Sequence, residues 1–408
     1  MQKLAPPTPV TSLDHIFGRC DRIFGEGWKL VPGLQDTVGL RGQRFIALLA
    51  AVADARTGRH RHAAVFHALR SFDARFCALI LSWPKSADAI GLEAAELMAA
   101  SLNARGECNE PVETYLAKKP EGGKRRIWVS GPKRRALQCL AKLVLMAIWG
   151  PSKFEFAQRG RGRDAAMRLI IYETEKKGGA RWFLTADITN CFGSFNRDQL
   201  LEIIPLPRAV IESCIFIMEG TEVIDKSGCY TSDTAVLSGL PQGSLASLYI
   251  ASKMLEGVLR ELTGIVKVSH VDDILVGTKT QEEAAANEHR LGVLLAEHPA
   301  GPLFMKSSIQ PLGKPIDFLG YRLVRKWIAF GGGVRAIPSQ KAFARVIARV
   351  KQKLANKHPH ETKHEIVAQY VGNWFNAQRS WDRSRRARQK LDGFVQSELP
   401  LAIKPSAG

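Results

Sequence analysis

The sequence has no long uninterrupted apolar run, and its cysteines lack the spacing of metal-binding modules. No segment reaches the roughly 18 uncharged apolar residues of a membrane span, so we expect no membrane insertion. The seven cysteines form neither a CxxC pair nor a Cys/His zinc pattern, and we interpret them as reduced thiols of a cytoplasmic protein. The opening stretch MQKLAPPTPVTSLDH has prolines and no apolar signal core, which predicts no secretion.

Acidic residues are scarce relative to basic ones. The 408 residues include 58 Lys and Arg against 39 Asp and Glu, for a formal net charge of +19. Such an excess favours a polyanionic partner, because each phosphate that Lys or Arg neutralises releases condensed counterions. The hydrophobic content of 45% is typical of a globular chain, and its length allows two or three domains.

Two of the acidic residues stand together inside an apolar segment. The stretch VKVSHVDDILVG, residues 266–277, has β-branched runs on both sides of Asp272 and Asp273, which predicts a hairpin with the pair at its tip. Burying an unpartnered carboxylate there would cost on the order of several kcal/mol, so the pattern calls for cations, donors or metal. A solvated turn explains this stretch alone equally well, since Asp is a common turn residue.

The rest of the chain mixes helical and strand patterns. Helices are predicted within 40–105, and a basic hairpin is predicted over VETYLAKKPEGGKRRIWV. Further predictions, in chain order, are the strand RWFLTADI, a helical stretch to about 215, a hairpin around DKSGCYTSD, a Gly/Pro turn into a helix at GLPQGSLASLYIASKMLEGVL, a helix over 281–297, strands at IDFLGYRLV and WIAF, a hinge at Gly331–Gly333, and then helix to about 397.

The last helical region has a basic side. Ser339 can cap a helix whose apolar face holds Phe343, Val346, Ile347, Val350 and Leu354. The opposite face has Lys341, Arg345, Arg349 and Lys353, and RSWDRSRRARQK at 379–390 repeats the basic pattern around a tryptophan. A solvated face is the ordinary explanation for one such helix. Two basic segments with an interleaved aromatic favour nucleic-acid contact.

A third acidic residue has a setting like that of the pair. Asp187 lies near the end of the apolar strand FLTADI. A carboxylate at a strand end and a pair at a hairpin tip suit a site for two Mg²⁺ ions about 4 Å apart, which activates a 3′-hydroxyl and stabilises leaving pyrophosphate.

In the order of its motifs the sequence resembles the reverse transcriptase family, in particular the bacterial group II intron, retron and defence-associated branches. The resemblance covers roughly residues 112–355. It rests on KKPEGGKRRI, FAQRGRGRDAA, ADITNCF, GLPQGSLAS, HVDD, FMKSS and FLGY, which occur in that order. Any one of these motifs is weak by itself, and the shared order gives the resemblance its weight.

The resemblance implies a role for each matched residue. Asp187, Asp272 and Asp273 would be the catalytic carboxylates and, with the Ile188 carbonyl, would hold two Mg²⁺ ions, for which Mn²⁺ could substitute. Lys306 would protonate pyrophosphate, and FLGY would form the primer grip. The residues implied to contact the incoming nucleotide or the nascent pair are Lys119 and Arg125 (or their neighbours Lys118 and Arg126), Phe192, Gln242, Gly243 and Ser244.

The chain departs from the family pattern at several motifs. His270 stands where the family usually has Tyr or Phe, and we expect a neutral imidazole to pack like a ring there. QGSLAS lacks the usual Pro after its Ser and differs from the IGNxxSQ form of diversity-generating enzymes. No C-terminal Cys/His cluster and no Asn-Ala-x-x-His segment is present. By exclusion the chain is most similar to stand-alone bacterial reverse transcriptases, several of which serve antiphage defence.

The resemblance implies an α+β polymerase right hand, with an N-terminal helical extension over 1–105, fingers and palm over 106–330, and a helical thumb over 331–408. The expected activity is RNA-directed DNA synthesis from dNTPs on a primed RNA template, with a dedicated non-coding RNA as a partner. The oligomeric state is left open. The alternatives are a retroelement reverse transcriptase, an RNA polymerase with a shared palm, and a non-catalytic maturase-like RNA-binding protein.

Overall fold

The computed structural model describes residues 11–118, 123–158, 160–228, 239–325 and 334–355, with 370, 372–374 and 393. The chain divides into two compact units, each assembled from separated stretches. Unit 1 comprises Met1–Lys153, Asn190–Leu255 and Ala296–Leu303, and unit 2 comprises Phe154–Thr189, Glu256–Leu295 and Phe304–Gly408.

Helices predominate in the first part of the chain and recur between the strands. They are α1 (Leu13–Phe24), α2 (Leu34–Asp54), α3 (Gly58–Arg70), α4 (Phe72–Ser82), α5 (Leu92–Ser101), α6 (Pro132–Trp149), α7 (Arg163–Glu175), α8 (Cys191–Ser194), α9 (Arg197–Ile203), α10 (Arg208–Cys214), α11 (Ser247–Glu261), α12 (Gln281–Ala296) and α13 (Gln340–Ala355). The predicted helices between 40 and 105 and over 281–297 are confirmed.

The strands form three sheets. They are β1 (Val112–Lys118), β2 (Lys124–Ser130), β3 (Trp182–Ile188), β4 (Val223–Asp225), β5 (Val266–His270), β6 (Asp273–Thr278), β7 (Met305–Pro311), β8 (Ile316–Phe318), β9 (Tyr321–Arg325) and β10 (Val334–Pro338). The strand orders are β2-β1-β4 in unit 1, and β5-β6-β3-β7 and β10-β9-β8 in unit 2. The α+β class is therefore confirmed, whereas the right-hand arrangement and its domain limits stay predictions.

Unit 1 is built around apolar helices. Beyond its basic first turn α6 is mostly apolar, and this part is buried in a helix that packs against α4 and α2, which matches the rule that a helix without a polar face lies inside. The α6 N-terminus is closed by Glu110, whose carboxylate accepts the N–H groups of Lys133 and Arg134. The predicted basic hairpin is confirmed as β1 and β2, antiparallel from Val112 opposite Ser130 to Lys118 opposite Lys124.

Unit 2 has a core shared by its two sheets and one helix. From α7, Ala166, Met167 and Ile170 pack in one cluster with Phe183 of β3 and Leu323 of β9. Ile274, Leu275 and Val276 of β6 are all buried, because strand β6 is central in its sheet and covered on both faces. The tip of the β5–β6 hairpin thus extends from a rigid base.

Two features of unit 2 were not predicted. Strand β7 pairs with β3 and completes the four-stranded sheet. The prediction that helix directly follows residue 333 was wrong, because Val334–Pro338 forms β10 and pairs with β9 while Val334 and Ala336 fill the core. Ser339 then caps α13 through the Ala342 N–H, as predicted. The glycines at 331–333, the strand at WIAF and the basic cluster at 379–390 lie outside the described residues, as does the second half of the hairpin around DKSGCYTSD.

No helix in the part of the chain that the structure describes is both long and apolar enough to cross a membrane. Of the seven cysteines, six are described, and they are not joined in disulfides. Burial raises the pKa of the Cys139 thiol to about 11, and it likewise raises the pKa of Cys20, where Asp21 adds to the effect, and of Cys214, both to about 12.

Candidate active site

The acidic pair lies at the tip of a tight hairpin, as the sequence predicts. Strands β5 and β6 are antiparallel, and His270 is paired with Asp273. Val271 and Asp272 therefore form a two-residue turn, and Asp273 is the first residue of β6. Val271 has φ +65°, which a β-branched residue rarely adopts and which costs on the order of 1–3 kcal/mol. A strained turn at a predicted catalytic site is a common association.

The third carboxylate is brought to the pair by strand register. Asp187 of β3 is directly opposite Asp273 of β6, so their side chains share one face of the sheet. Its neighbours Ala186 and Ile188 are buried, whereas Asp187 is exposed, because successive side chains of a strand point to opposite faces. The structure therefore gathers the predicted carboxylates Asp187, Asp272 and Asp273 at one end of the four-stranded sheet.

Lys306 joins the carboxylates through the unpredicted strand β7. It is directly opposite Asp187 on the side away from β6. The order across the sheet at this level is thus Asp273, Asp187, Lys306. Lys306, Asp187 and Asp273 therefore share one face of the sheet.

The backbone of the turn is held from two directions. The Ile188 N–H donates to the carbonyl of Asp272 over 3.1 Å. On the other side the Glu155 carboxylate accepts the Val271 N–H, with Oε2 at 3.1 Å and Oε1 at 3.3 Å. Glu155 is 1% exposed, and burial raises the pKa of its carboxyl. Glu155 was not predicted as a site residue, and the only sequence signal for it is a lone acidic residue within the apolar stretch KFEFA.

His270 has the environment of a neutral ring. Burial lowers the pKa of its imidazole, and the positive charge of Arg163 lowers it further. A neutral imidazole at neutral pH agrees with the expectation that His270 packs in place of the usual aromatic residue.

The donor set fits a hard divalent cation in its chemistry. Magnesium prefers carboxylate and carbonyl oxygens, and three carboxylates with the Ile188 carbonyl supply these. Within the described residues, no group of three or more His, Cys, Asp or Glu side chains is arranged to hold a metal ion. The fit therefore rests on the ligand chemistry and on the register that places the carboxylates at one sheet end.

The motif residues Phe192, Gln242 and Gly243 lie in unit 1. The loop over residues 239–243 forms backbone hydrogen bonds with Phe192 and with Trp128. The carbonyl of Phe192 accepts the Leu240 N–H over 2.8 Å, and the carbonyl of Gln242 accepts the Trp128 N–H over 2.8 Å. The loop thus bridges α8 and strand β2.

Gly243 is required where it stands. It has φ +117°, and a Cβ there would lie 2.1 Å from the Trp128 carbonyl oxygen. Gly239 is under the same constraint, because a Cβ at this position would lie 2.2 Å from the Phe192 carbonyl oxygen. Close backbone approach explains both glycines of GLPQG. Ser244, which follows, is buried.

The basic hairpin presents its predicted phosphate-binding residues unequally. Arg125 and Lys118 are exposed on β2 and β1. Arg126 forms an ion pair with Asp225 at 3.6 Å and is largely buried, so Arg125 is the more accessible of the two arginines. Lys119 lies outside the described residues.

The predicted primer-grip motif FLGY forms a second tight hairpin. Phe318 of β8 is opposite Tyr321 of β9, and the intervening Leu319 and Gly320 have φ +52° and +85°. The Tyr321 hydroxyl donates to the carboxylate of Asp164 on α7. The Arg/Gly segment and FLGY are thereby joined within unit 2.

Comparison with known proteins identifies the family. Residues 117–323, just over half of the chain, match the family described as "Reverse transcriptase (RNA-dependent DNA polymerase)". All predicted site residues lie within the match. The chain therefore belongs to the reverse transcriptase family. It contains the domain of an RNA-directed DNA polymerase, which is a nucleotidyltransferase.

Two curated proteins are similar to part of the chain. The COX1/OXI3 intron 1 protein of Saccharomyces cerevisiae is 26% identical over 143 residues, which are 34% of this chain and 16% of the yeast protein. A 91 kDa protein in the cob intron of Schizosaccharomyces pombe is 27% identical over 178 residues, 41% of this chain and 21% of that protein. The chain spans about a fifth of the length of these relatives.

Proposed function

We propose that this protein copies RNA into DNA by adding dNTPs to a 3′-hydroxyl in a two-metal-ion nucleotidyl transfer. The observation that carries the proposal is the register that sets Asp187 between Asp273 and Lys306. Asp187, Asp272 and Asp273 would hold Mg²⁺ together with the Ile188 carbonyl. When bound, the two ions lower the pKa of the 3′-hydroxyl and stabilise charge on the leaving pyrophosphate, and Mn²⁺ could replace them.

Protein side chains would carry out the steps that the metal ions do not. Lys306 donates a proton to the pyrophosphate as it leaves. Lys119 and Arg125 neutralise the triphosphate, and a guanidinium can do so with two hydrogen bonds. Phe192 limits the space at the 2′ position of the nucleotide, and the backbone around Gln242 and Gly243 supports the nascent pair. The basic face of α13, on which Lys341, Arg345, Arg349 and Lys353 are all exposed, binds the primer-template backbone.

The direct test is primer extension by the purified full chain on a primed RNA template. We expect dNTP incorporation with Mg²⁺ or Mn²⁺, none after EDTA treatment, and much lower incorporation of rNTPs. A folded protein that incorporates no dNTP on RNA or DNA templates would refute the proposal. It would favour the non-catalytic RNA-binding alternative, provided that RNA binding persists.

The names of the two curated relatives favour a retroelement as the biological setting. Both curated relatives carry the word intron in their names. Antiphage defence and a dedicated non-coding RNA stay predictions from motif absences. Sequencing the nucleic acid that copurifies with the protein distinguishes the two, because a retroelement enzyme should hold its own intron or element RNA.

A further inference from the structure

Glu155 combines deep burial with contacts to the turn that holds the acidic pair. It lies on an extended segment beside β5, where the Phe156 N–H donates to the Ser269 carbonyl and the Ser269 N–H donates to the Phe154 carbonyl, both over 2.8 Å. These two bonds run the segment parallel to the end of β5. They fix the backbone of Glu155 next to the turn.

The carboxylate of Glu155 accepts hydrogen bonds both from its own segment and from the β5–β6 hairpin. Besides the Val271 N–H, it accepts the Ala157 N–H at 2.5 Å and lies 3.5 Å from the Ser269 hydroxyl. In a two-residue hairpin the first turn residue has no ladder partner for its N–H. Glu155 therefore supplies the acceptor that the hairpin itself cannot supply to Val271.

The geometry points to a task beyond stability. The favoured two-residue hairpin turns need a positive φ at their first residue, which a β-branched side chain adopts only at a cost, and Val271 has φ +65° directly before Asp272. Rotation of the Val271 peptide would move the Asp272 carbonyl off the Ile188 N–H and shift its carboxylate relative to Asp187. The bond from Glu155 opposes that rotation.

We propose that Glu155 is a positioning residue of the active site, which holds the Val271–Asp272 turn so that Asp272 meets the metal and the substrate in register with Asp187. The proposal rests on the proposed function, since it assigns Glu155 to the same reaction. Glu155 acts through the turn and does not contact substrate.

The test compares Glu155→Ala and Glu155→Gln with wild type on a primed RNA template. Small displacements of catalytic groups and losses of outer-shell contacts each cost about 10- to 100-fold. We expect Glu155→Ala to lower kcat by about that factor, to raise the half-saturating Mg²⁺ concentration, and to leave KM for dNTP nearly unchanged. Glu155→Gln keeps one acceptor oxygen and should recover most of kcat.

The matched control is Glu110→Ala. Glu110 also accepts two backbone N–H groups, but at the N-terminus of α6, so its loss should lower Tm while kcat and the Mg²⁺ dependence stay at wild-type values. Parallel losses of Tm and kcat in the Glu110 and Glu155 variants would overturn the positioning role. So would a Glu155→Gln enzyme as impaired as a folded Glu155→Ala. If Glu155→Ala does not fold, Glu155→Leu, which fills a similar volume without an acceptor, takes its place, and a folded Glu155→Leu enzyme with wild-type kcat and Mg²⁺ dependence would overturn the positioning role.

Amide hydrogen exchange tests the proposal independently of activity. Peptides covering residues 266–277 should exchange faster in Glu155→Ala, or in Glu155→Leu if the first variant does not fold, while peptides of β3 away from the site do not change. Unchanged exchange at the turn would refute the role of Glu155 even in an active enzyme. Faster exchange in a protein whose wild type lacks polymerase activity would instead refute the proposed function and leave the turn contact standing.

Discussion

Asp187 and Asp273 are directly opposite each other on neighbouring antiparallel strands, with Lys306 opposite Asp187 on the other side. Directly opposed side chains in an antiparallel sheet have Cβ atoms about 4.5–5.5 Å apart, and two carboxylates at that distance repel each other. A bound cation removes this repulsion. The register therefore supports a metal-dependent reaction and leads to the first prediction.

Replacement of Asp272 by Asn should abolish dNTP incorporation while the fold stays intact. Loss of a metal ligand removes transition-state stabilisation of several kcal/mol, so we expect incorporation to fall about 1,000-fold or more. Primer extension measures the activity and circular dichroism with Tm measures the fold. Asp54→Asn, at the exposed end of α2, serves as the matched control and should behave as wild type. Near wild-type incorporation by a folded Asp272→Asn protein would contradict the assignment.

The exposed basic face of α13 should contribute to nucleic-acid affinity. Changing Arg345, Arg349 and Lys353 together to Gln should weaken primer-template binding and reduce the log-log salt slope by about 2 to 3, because fewer counterions are released. The buried face, with Val346, Ile347 and Val350, is left untouched, so Tm should change little. Fluorescence anisotropy at several salt concentrations gives the slope.

The control for the α13 experiment removes the same charge elsewhere. Arg56, Arg59 and Lys85 are exposed residues of unit 1 and can be changed to Gln together. An unchanged slope in the α13 variant would mean that its basic face is merely solvated. Equal reductions in both variants would mean that net charge, and not this helix, sets the affinity.

Phe192 should control the choice between deoxyribose and ribose. Its backbone is fixed by the Leu240 N–H, which makes a change at the side chain local. Phe192→Val should relieve a clash with the 2′-hydroxyl, so the ratio of dNTP to rNTP efficiency should fall more than overall activity does. Phe195→Val, a buried neighbour packed against His298, should reduce stability without altering the ratio.

The comparison of dNTP with rNTP incorporation tests the DNA polymerase activity and the role of Phe192 separately. A wild type that already prefers rNTPs would contradict the DNA polymerase activity itself. A normal wild-type preference that Phe192→Val leaves unchanged would remove only the assignment of Phe192 as the gate.

Gly243→Ala should damage the loop over residues 239–243, which we propose supports the nascent pair. Its Cβ would collide with the Trp128 carbonyl, so the loop must move, at a cost on the order of 1–3 kcal/mol. We expect a lower Tm and a higher KM for dNTP. Gly257→Ala, at an exposed position of α11 where a Cβ would meet nothing within 4 Å, should instead stabilise the protein by about 0.5–1 kcal/mol. A Gly243→Ala enzyme with wild-type Tm and KM would show that the loop tolerates the side chain.

The sequence by itself determined the local elements and the order of the motifs. The run around Asp272 and Asp273 encodes a hairpin because β-branched and apolar residues lie on both sides of the acidic pair. Helix α13 is encoded by its cap at Ser339 and its apolar face. The glycines of GLPQG were identifiable as a turn, although their reason, close approach to Phe192 and Trp128, was not. Motif order was enough to indicate the family that the comparisons then confirmed.

Only the tertiary structure decided which distant residues meet. Strand β7 has a weak pattern, and its place beside Asp187 follows from pairing with β3, a contact between segments far apart in sequence. Strand β10 was likewise decided by tertiary contacts. It forms where a helix was predicted, because Val334 and Ala336 pack into the core of unit 2. Glu155 shows the limit most clearly. A carboxylate in an apolar stretch signals burial with partners, but the distant partner is a backbone N–H of the Val271–Asp272 turn. Backbone N–H groups are the same at every residue, so only the fold selects one.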